Sequence, residues 1–228
     1  MQGKTHLAVG TAVAAALLRP GTIQLMAGGL AAAAFGSVIS DIDAGTSGAG
    51  QDGTKVIALS VIGAALVIFA DYFFQLDLYN TFIRRAEGSH ALLFSLALLV
   101  ICAFGILTRH RSFMHSLLAM GLMGGCIYYI APALTPYFCI GFGSHLVLDL
   151  FNHKGIMLFY PFQKRFALGW FKSKGIADQA LFAAAIIVLV LSVFTSSAMS
   201  LFLTEMIMHL KIFLHLESLG TVLLTHSP

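Results

Sequence analysis

An all-α, polytopic membrane protein is the fold class this sequence predicts, and three observations predict it. Of its 228 residues, 58% are hydrophobic and only 10% are charged, against roughly 25% charged in an ordinary soluble domain. The mean hydropathy is +0.89, too high for a soluble chain that merely has a large core. The apolar residues also fall into seven runs separated by short polar or Gly/Pro-containing breaks. Most runs approach the roughly 20 residues that a helix needs to cross a ~30 Å hydrocarbon layer.

The same composition excludes other classes. The 13 basic and 10 acidic residues leave +3, too small an excess to argue for nucleic acid or another polyanion. Cys102, Cys126 and Cys139 lie singly in apolar runs. With no paired spacing they read as small packing residues rather than a disulfide or thiolate site.

Taken in chain order, Lys4 and the apolar run 7–18 resemble the start of a secretory signal. Arg19-Pro20 and a second apolar stretch follow at once, so the run is read as a retained first segment. It is short, which predicts a tilted, partly inserted or paired half-helix. The later segments are 23–39, 56–74, 91–107, 113–131, 134–150 and 179–202, the sixth also marginal in length. Breakers separate them: Arg19-Pro20-Gly21, the Gly-rich stretch 44–53, and residues 84–89, 109–112 and 131–136. A longer polar and aromatic loop runs from about 151 to 178. The tail, 204–228, mixes Leu, Ile and Phe with Glu205, Lys211 and Glu217 and reads as an amphipathic interfacial helix or a poor eighth span. The organisation expected is one transmembrane domain over 1–203 and that tail, with about seven helices and no internal repeat.

Basic residues orient the segments. If all seven alternate across the membrane, the N-terminal side carries nine Lys and Arg (Lys4, Lys55, Arg109, Arg111, Lys154, Lys164, Arg165, Lys172, Lys174), and the other side four (Arg19, Arg84, Arg85, Lys211). The positive-inside rule then puts the N-terminus in the cytoplasm, in a multi-pass protein of the cytoplasmic (inner) membrane.

Ionisable groups at membrane depth are costly, so their positions are informative. His6 opens the first segment, and Asp41 and Asp43 close the second. His110, Arg111 and His115 open the fifth; His145, Asp149, Asn152 and His153 close the sixth. Starts of odd segments and ends of even segments share one face, so four separate pieces of chain converge at one depth. His145, Asp149 and Asn152 or His153 follow helical spacing, and Arg111 and His115 are also four apart. Imidazoles mixed with carboxylates suit Zn²⁺ or Mn²⁺, with Mg²⁺ a harder option, as one ion or two. Such a centre activates water and stabilises negative charge, and the planar fork of Arg111 suits a phosphate. The bland alternatives are interfacial hydrogen bonding for the histidines, capping for the aspartates and a topology signal for Arg109 to Arg111. Asp71, Asp77, His90, His209, His215 and His226 share no face with the cluster and read as structural or exposed.

These residues also carry a resemblance. Thr5-His6 with Gly10, Asp41-Ile42-Asp43, His110-Arg111 with His115-Ser116, and Ser144-His145-Leu146 with Leu148-Asp149, Asn152, Gly155 and Pro161 together resemble the YdjM-type family of membrane-bound, metal-dependent hydrolases. The likeness extends from residue 5 to about 161, and its specificity lies in the order of the pieces. It implies a phospholipase-like or phosphatase-like enzyme in which His6, Asp41, Asp43, His115, His145 and Asp149 are ligands or acid–base groups. Ser40, Ala44 and Met114 depart from the family's usual Pro, His and Thr at those places, which bears on how ligands are oriented.

The function expected is therefore hydrolysis of a phosphoester in a lipid or lipid-linked substrate. His6, His115 and Asp149 would be core ligands, Asp41 and Asp43 further ligands or bridges, and Asp43 and His145 catalytic groups. Arg111, with Asn152, would bind substrate. A transporter or channel passing protons or metal ions through the same cluster is the alternative, and a scaffold with a stabilising metal site is a third reading. Substitution of Asp149 separates them, since an enzyme loses turnover, a carrier loses flux and a scaffold loses stability.

Overall fold

The computed structural model describes residues 2–46, 71–72, 75–83, 89–170, 175–208 and 211. Helix α1, Gly3–Leu18, is built largely of Ala and Leu, strong helix formers, and stops at Arg19, which turns left-handed (φ 41°) ahead of Pro20. In α2, Ile23–Ile39, the N-cap Thr22 accepts the Leu25 N–H at 3.2 Å. It runs directly into a 3-10 turn, Ser40–Thr46. Then come α3, Ser89–Leu107; a short 3-10 turn, Phe113–His115; and α4, Leu117–Ile130. Another 3-10 turn, Pro132–Leu134, leads into α5, Thr135–Leu150. The last two helices are α6, Ile176–Phe194, and α7, Ser197–Met208. Among the described residues there is no sheet, only an isolated antiparallel bridge between Ile156 and Phe166. The all-α class read from the sequence is the class observed.

Among the described residues, four stretches, Ile23–Asp43, His90–Leu107, Pro132–Leu150 and Ile176–Phe194, are long and apolar enough to cross a membrane. At 1.5 Å rise per residue each reaches roughly 27–32 Å, the thickness of a hydrocarbon layer. The 16-residue α1 and 14-residue α4 are shorter. The expected span 56–74 lies outside the described residues apart from Asp71 and Tyr72, as do Arg84, Arg85 and nearly all of the chain after Met208.

Three boundaries differ from expectation, each for a local reason. First, α1 begins at Gly3 rather than at residue 7: Lys4 is exposed, so its charge does not oppose the helical turn, and its ammonium lies over the Phe182 ring of α6, 5.1 Å away. Second, the fifth segment is not one helix. Ser116 is extended (φ −129°, ψ 157°) and its hydroxyl accepts the Ala119 N–H at 3.1 Å, so the helix restarts there and His115 precedes it. Third, the seventh segment breaks at Thr195-Ser196. Both hydroxyls bond back to backbone carbonyls, of Leu191 and Val193, at 2.7 Å, while Ser196 caps α7 through Met199. Helix α7 then runs continuously across residue 203, where the tail was expected to begin.

At the centre of the bundle α2 lies against α5, with α1 across both; α6 covers α1, and α3 packs on α4 and on the turn after α2. Backbones approach closely where side chains are small. A Cβ at Gly141 would stand 2.1 Å from the Ala33 carbonyl oxygen, and one at Gly36 would stand 2.3 Å from that of Phe138. Small residues on facing helices are how membrane helices gain contact when lipid removes the hydrophobic drive for association. Phe138, Phe142, Leu146, Met123 and Met114 fill the core beside this crossing. The spans of α2 and α5 are 44% buried, those of α3 and α6 only 6% and 11%. The inner helices thus carry the polar site, and the outer ones present Leu, Ile and Val to their surroundings.

Candidate metal centre

The site forms where the ends of four segments meet. His6 projects from the first turn of α1, and Asp41 and Asp43 lie on the 3-10 turn that extends α2. His110 and Arg111 occupy the connection after α3, His115 ends the 3-10 turn before α4, and His145 and Asp149 share the buried stripe of α5. His6, Asp43, His115, His145 and Asp149 are all at most 2% exposed. Arg111 is held left-handed at φ 64°, a conformation that costs a non-glycine residue roughly 1–2 kcal/mol. Its carbonyl accepts the Met157 N–H at 3.2 Å, tying it to the loop after α5.

The donor atoms face one another. His115 Nε2 lies 3.4 Å from His145 Nε2, 3.4 Å from Asp41 Oδ1 and 3.5 Å from Asp149 Oδ2. His145 Nε2 is 3.7 Å from Asp41 Oδ1 and 4.0 Å from Asp149 Oδ2. His6 stacks on His145 with ring centroids 4.0 Å apart, and its Nε2 stands 3.4 Å from the other Asp149 oxygen. On the far side of His115, Asp43 Oδ1 meets His110 Nδ1 at 2.8 Å. Asp43 Oδ2 accepts the Arg111 backbone N–H at 3.3 Å and faces His115 Nδ1 at 3.7 Å.

These residues fit a divalent cation on three counts. Ligand atoms ~2.0–2.1 Å from a tetrahedral ion lie roughly 3.3–3.4 Å from one another, close to the shorter separations among His115, His145, Asp41 and Asp149. His145 has a defined tautomer: its Nδ1 meets the Ser37 carbonyl at 2.7 Å, an acceptor only, so Nδ1 carries the proton and Nε2 offers a lone pair to the cluster. Charge is the third count. With neutral imidazoles, three carboxylates face a single guanidinium, whose Nη2 is 3.2 Å from Asp149 Oδ2. That excess of two negative charges is expensive in a desolvated site, and one divalent ion cancels it. The donors form two groups, His6 with His145 and Asp149, and Asp41 with His110 and His115, each close enough to hold an ion.

Among the described residues, most buried polar atoms without a hydrogen-bond partner lie at the same end, Thr5 Oγ1, His6 Nδ1, Ser40 Oγ, and both Nε and Nη1 of Arg111 among them, while Thr135 Oγ1 lies at the opposite end of α5. Unmade hydrogen bonds are costly in a low dielectric, so their concentration here marks a binding site. Arg111 has one nitrogen on Asp149 and two donors left for an anion.

Not every expected residue joins the cluster. The α5 stripe ends at Asp149. Asn152 sits on the turn beyond, buried, its Oδ1 accepting the His153 N–H at 2.8 Å, and His153 is exposed. A helix running on to Asn152 is therefore corrected: α5 stops at Leu150 and the chain turns. The Arg111–His115 pair is likewise set by a 3-10 turn and a left-handed residue rather than by one helix face. Asp71 caps its own turn through the Leu78 N–H at 2.9 Å. His209, His215 and His226 lie outside the described residues.

His110 was read at the head of the fifth segment with Arg111 and His115, a topology signal being the alternative, but was left out of the expected ligand set; its Nδ1 meets Asp43. One participant was not singled out from sequence. The Ser37 carbonyl has no sequence signal at all, since any residue carries that group. Among known proteins, no curated protein and no solved structure matches this chain. A family model does match, over residues 1–215, and the chain, with four membrane-length helices and a buried His/Asp cluster among its described residues, belongs to the YdjM inner membrane protein family.

Proposed function

We propose that this is a multi-pass inner-membrane hydrolase that cleaves a phosphoester of a lipid or lipid-linked substrate, with its N-terminus and His/Asp site on the cytoplasmic side. One observation carries the reading: a donor set of divalent-metal dimensions stands directly beside two unpartnered nitrogens of Arg111, Nε and Nη1. The nine-to-four bias of basic residues supports the orientation. Zinc suits the mixed imidazole and carboxylate donors best, with Mn²⁺ or Mg²⁺ less favoured. His115, His145, Asp41 and Asp149 would hold the ion, with His6 on the second Asp149 oxygen. When bound, it would supply Lewis acidity and an acidified water.

The chain's own groups have distinct tasks. Arg111 takes phosphoryl oxygens on Nε and Nη1 and offsets the charge that develops on them. Ser37 holds His145 through Nδ1, which favours His145 as a ligand over a base. Asp43 accepts from His110 Nδ1 and so fixes the ring's orientation and tautomer, leaving the lone pair on Nε2 to take a proton during the reaction. Asp43 is then a positioning carboxylate. A lipid substrate suits a site at the end of membrane-length helices, which is the depth of lipid headgroups.

The test is elemental analysis of detergent-purified protein, wild type beside Asp149→Ala and His115→Ala, followed by phosphate release from phosphatidic acid and polyprenyl phosphates with the metal found. Near-stoichiometric metal, lost in both monodisperse variants, together with turnover that Asp149→Ala abolishes, is the expected result. Wild-type protein that takes up no divalent metal on reloading would rule the hydrolase out.

A further inference from the structure

We propose that the loop between α5 and α6 is an interfacial platform that binds anionic lipid headgroups at the rim of the His/Asp site. Its residues 151–170 are folded, not a slack linker. Ile156 and Phe166 exchange backbone hydrogen bonds at 3.0 and 2.9 Å, Leu168 and Trp170 donate to the carbonyls of Leu150 and Phe151, and Leu158 accepts the Leu117 N–H at 3.0 Å. Folding nonetheless leaves large rings outside: Phe159 is 49% exposed, Phe162 74% and Trp170 69%. A segment with this many internal bonds would bury such rings if water were its only surroundings.

The surroundings are indicated by position and charge. Leu168 and Trp170 bond to the last residues of α5, at the end of a membrane-length helix, which is headgroup depth. Lys154, Lys164 and Arg165 are exposed on the same loop, and residues 151–170 contain no Asp or Glu. The loop thus concentrates positive charge among aromatic rings. Amphipathic rings settle at the membrane interface, and basic side chains beside them attract anionic headgroups. A second copy of the chain would instead meet three like charges. The occupant that matches is the anionic lipid of the surrounding bilayer, bound beside Arg111, whose carbonyl the loop holds through Met157. The argument does not depend on the hydrolytic reading.

Trp170 is the single tryptophan of the chain, so it reports on this loop alone. Full-length protein is reconstituted in phosphatidylcholine containing increasing fractions of phosphatidylglycerol, with one lipid at a time brominated on its acyl chains. The expected outcome is blue-shifted emission, little quenching by aqueous acrylamide, and stronger quenching by brominated phosphatidylglycerol than by brominated phosphatidylcholine at equal fraction. Each of Lys154→Ala, Lys164→Ala and Arg165→Ala should lower that preference about fivefold, with elution volume unchanged. Red-shifted, acrylamide-quenched emission would show a loop in water and overturn the proposal. Equal quenching by both lipids would overturn its headgroup part. Emission that neither quencher reaches, and that changes on dilution into empty lipid, would assign the surface to a second copy instead.

Discussion

Asp43→Asn tests most directly how the site is built. The substitution keeps the size of the side chain but removes its charge and one acceptor oxygen. In the structure that carboxylate takes His110 Nδ1 at 2.8 Å and the Arg111 N–H at 3.3 Å, and it faces His115 Nδ1 at 3.7 Å. Both of its oxygens therefore serve groups that flank the donor cluster. Removing a partner that orients a metal-binding histidine typically costs 10–100-fold in metal affinity, about 1.4–2.8 kcal/mol. The expected result is a Kd weaker by about that factor in a competitive chelator titration, with full occupancy recovered at higher metal concentration. Turnover should fall further than occupancy, because His110 loses the carboxylate that holds its ring and tautomer. Asp149→Ala, beside it, should not recover at any accessible metal concentration. If Asp43→Asn abolished binding as completely as Asp149→Ala, Asp43 would be a direct ligand and the positioning argument wrong. A change of less than about twofold would refute it from the other side.

Other consequences are independent of that one. Arg111→Lys keeps a cation but loses the fork, and should lower kcat/KM by about 10²–10³ with metal content unchanged; steady-state kinetics and elemental analysis together check it. Gly141→Val drives a side chain into the Ala33 carbonyl, 2.1 Å from the Cβ position, and should cost about 1–3 kcal/mol in detergent denaturation. It should also loosen the metal site one turn away, while Gly125→Ala, with open space around it, should be neutral or mildly stabilising. Ser116→Ala removes the cap that starts α4 and should lower stability by about 0.5–2 kcal/mol, seen as a fall in Tm. Metal removal should also lower Tm, since it leaves uncompensated carboxylates; reloading to 100 times Kd should restore about 2.7 kcal/mol.

Much of this protein was legible before any fold was known. Hydropathy located the segments that fall within the described residues, because a bilayer admits few alternatives to the helix. Ionisable residues at the ends of those segments located the site, because their desolvation is tolerated only where they are partnered. His145 and Asp149 were legible as a pair from spacing alone. The fifth and seventh segments were misread as unbroken, since Ser116 and Ser196 cap or break a helix only through hydrogen bonds that hydropathy does not register.

Tertiary structure alone decided the geometry within the cluster. Nothing in the residue order distinguishes Asp41, whose oxygen faces two Nε2 atoms, from Asp43, whose oxygens face Nδ1 atoms and a backbone N–H. The tautomer of His145 depends on a carbonyl 108 residues away in the chain, and that proximity exists because Gly36 and Gly141 let α2 and α5 close to backbone contact. The composition of each segment determines that it is a helix and where its polar end lies. Which atom of which side chain faces the centre depends on helix rotation and approach, and those are set by long-range packing.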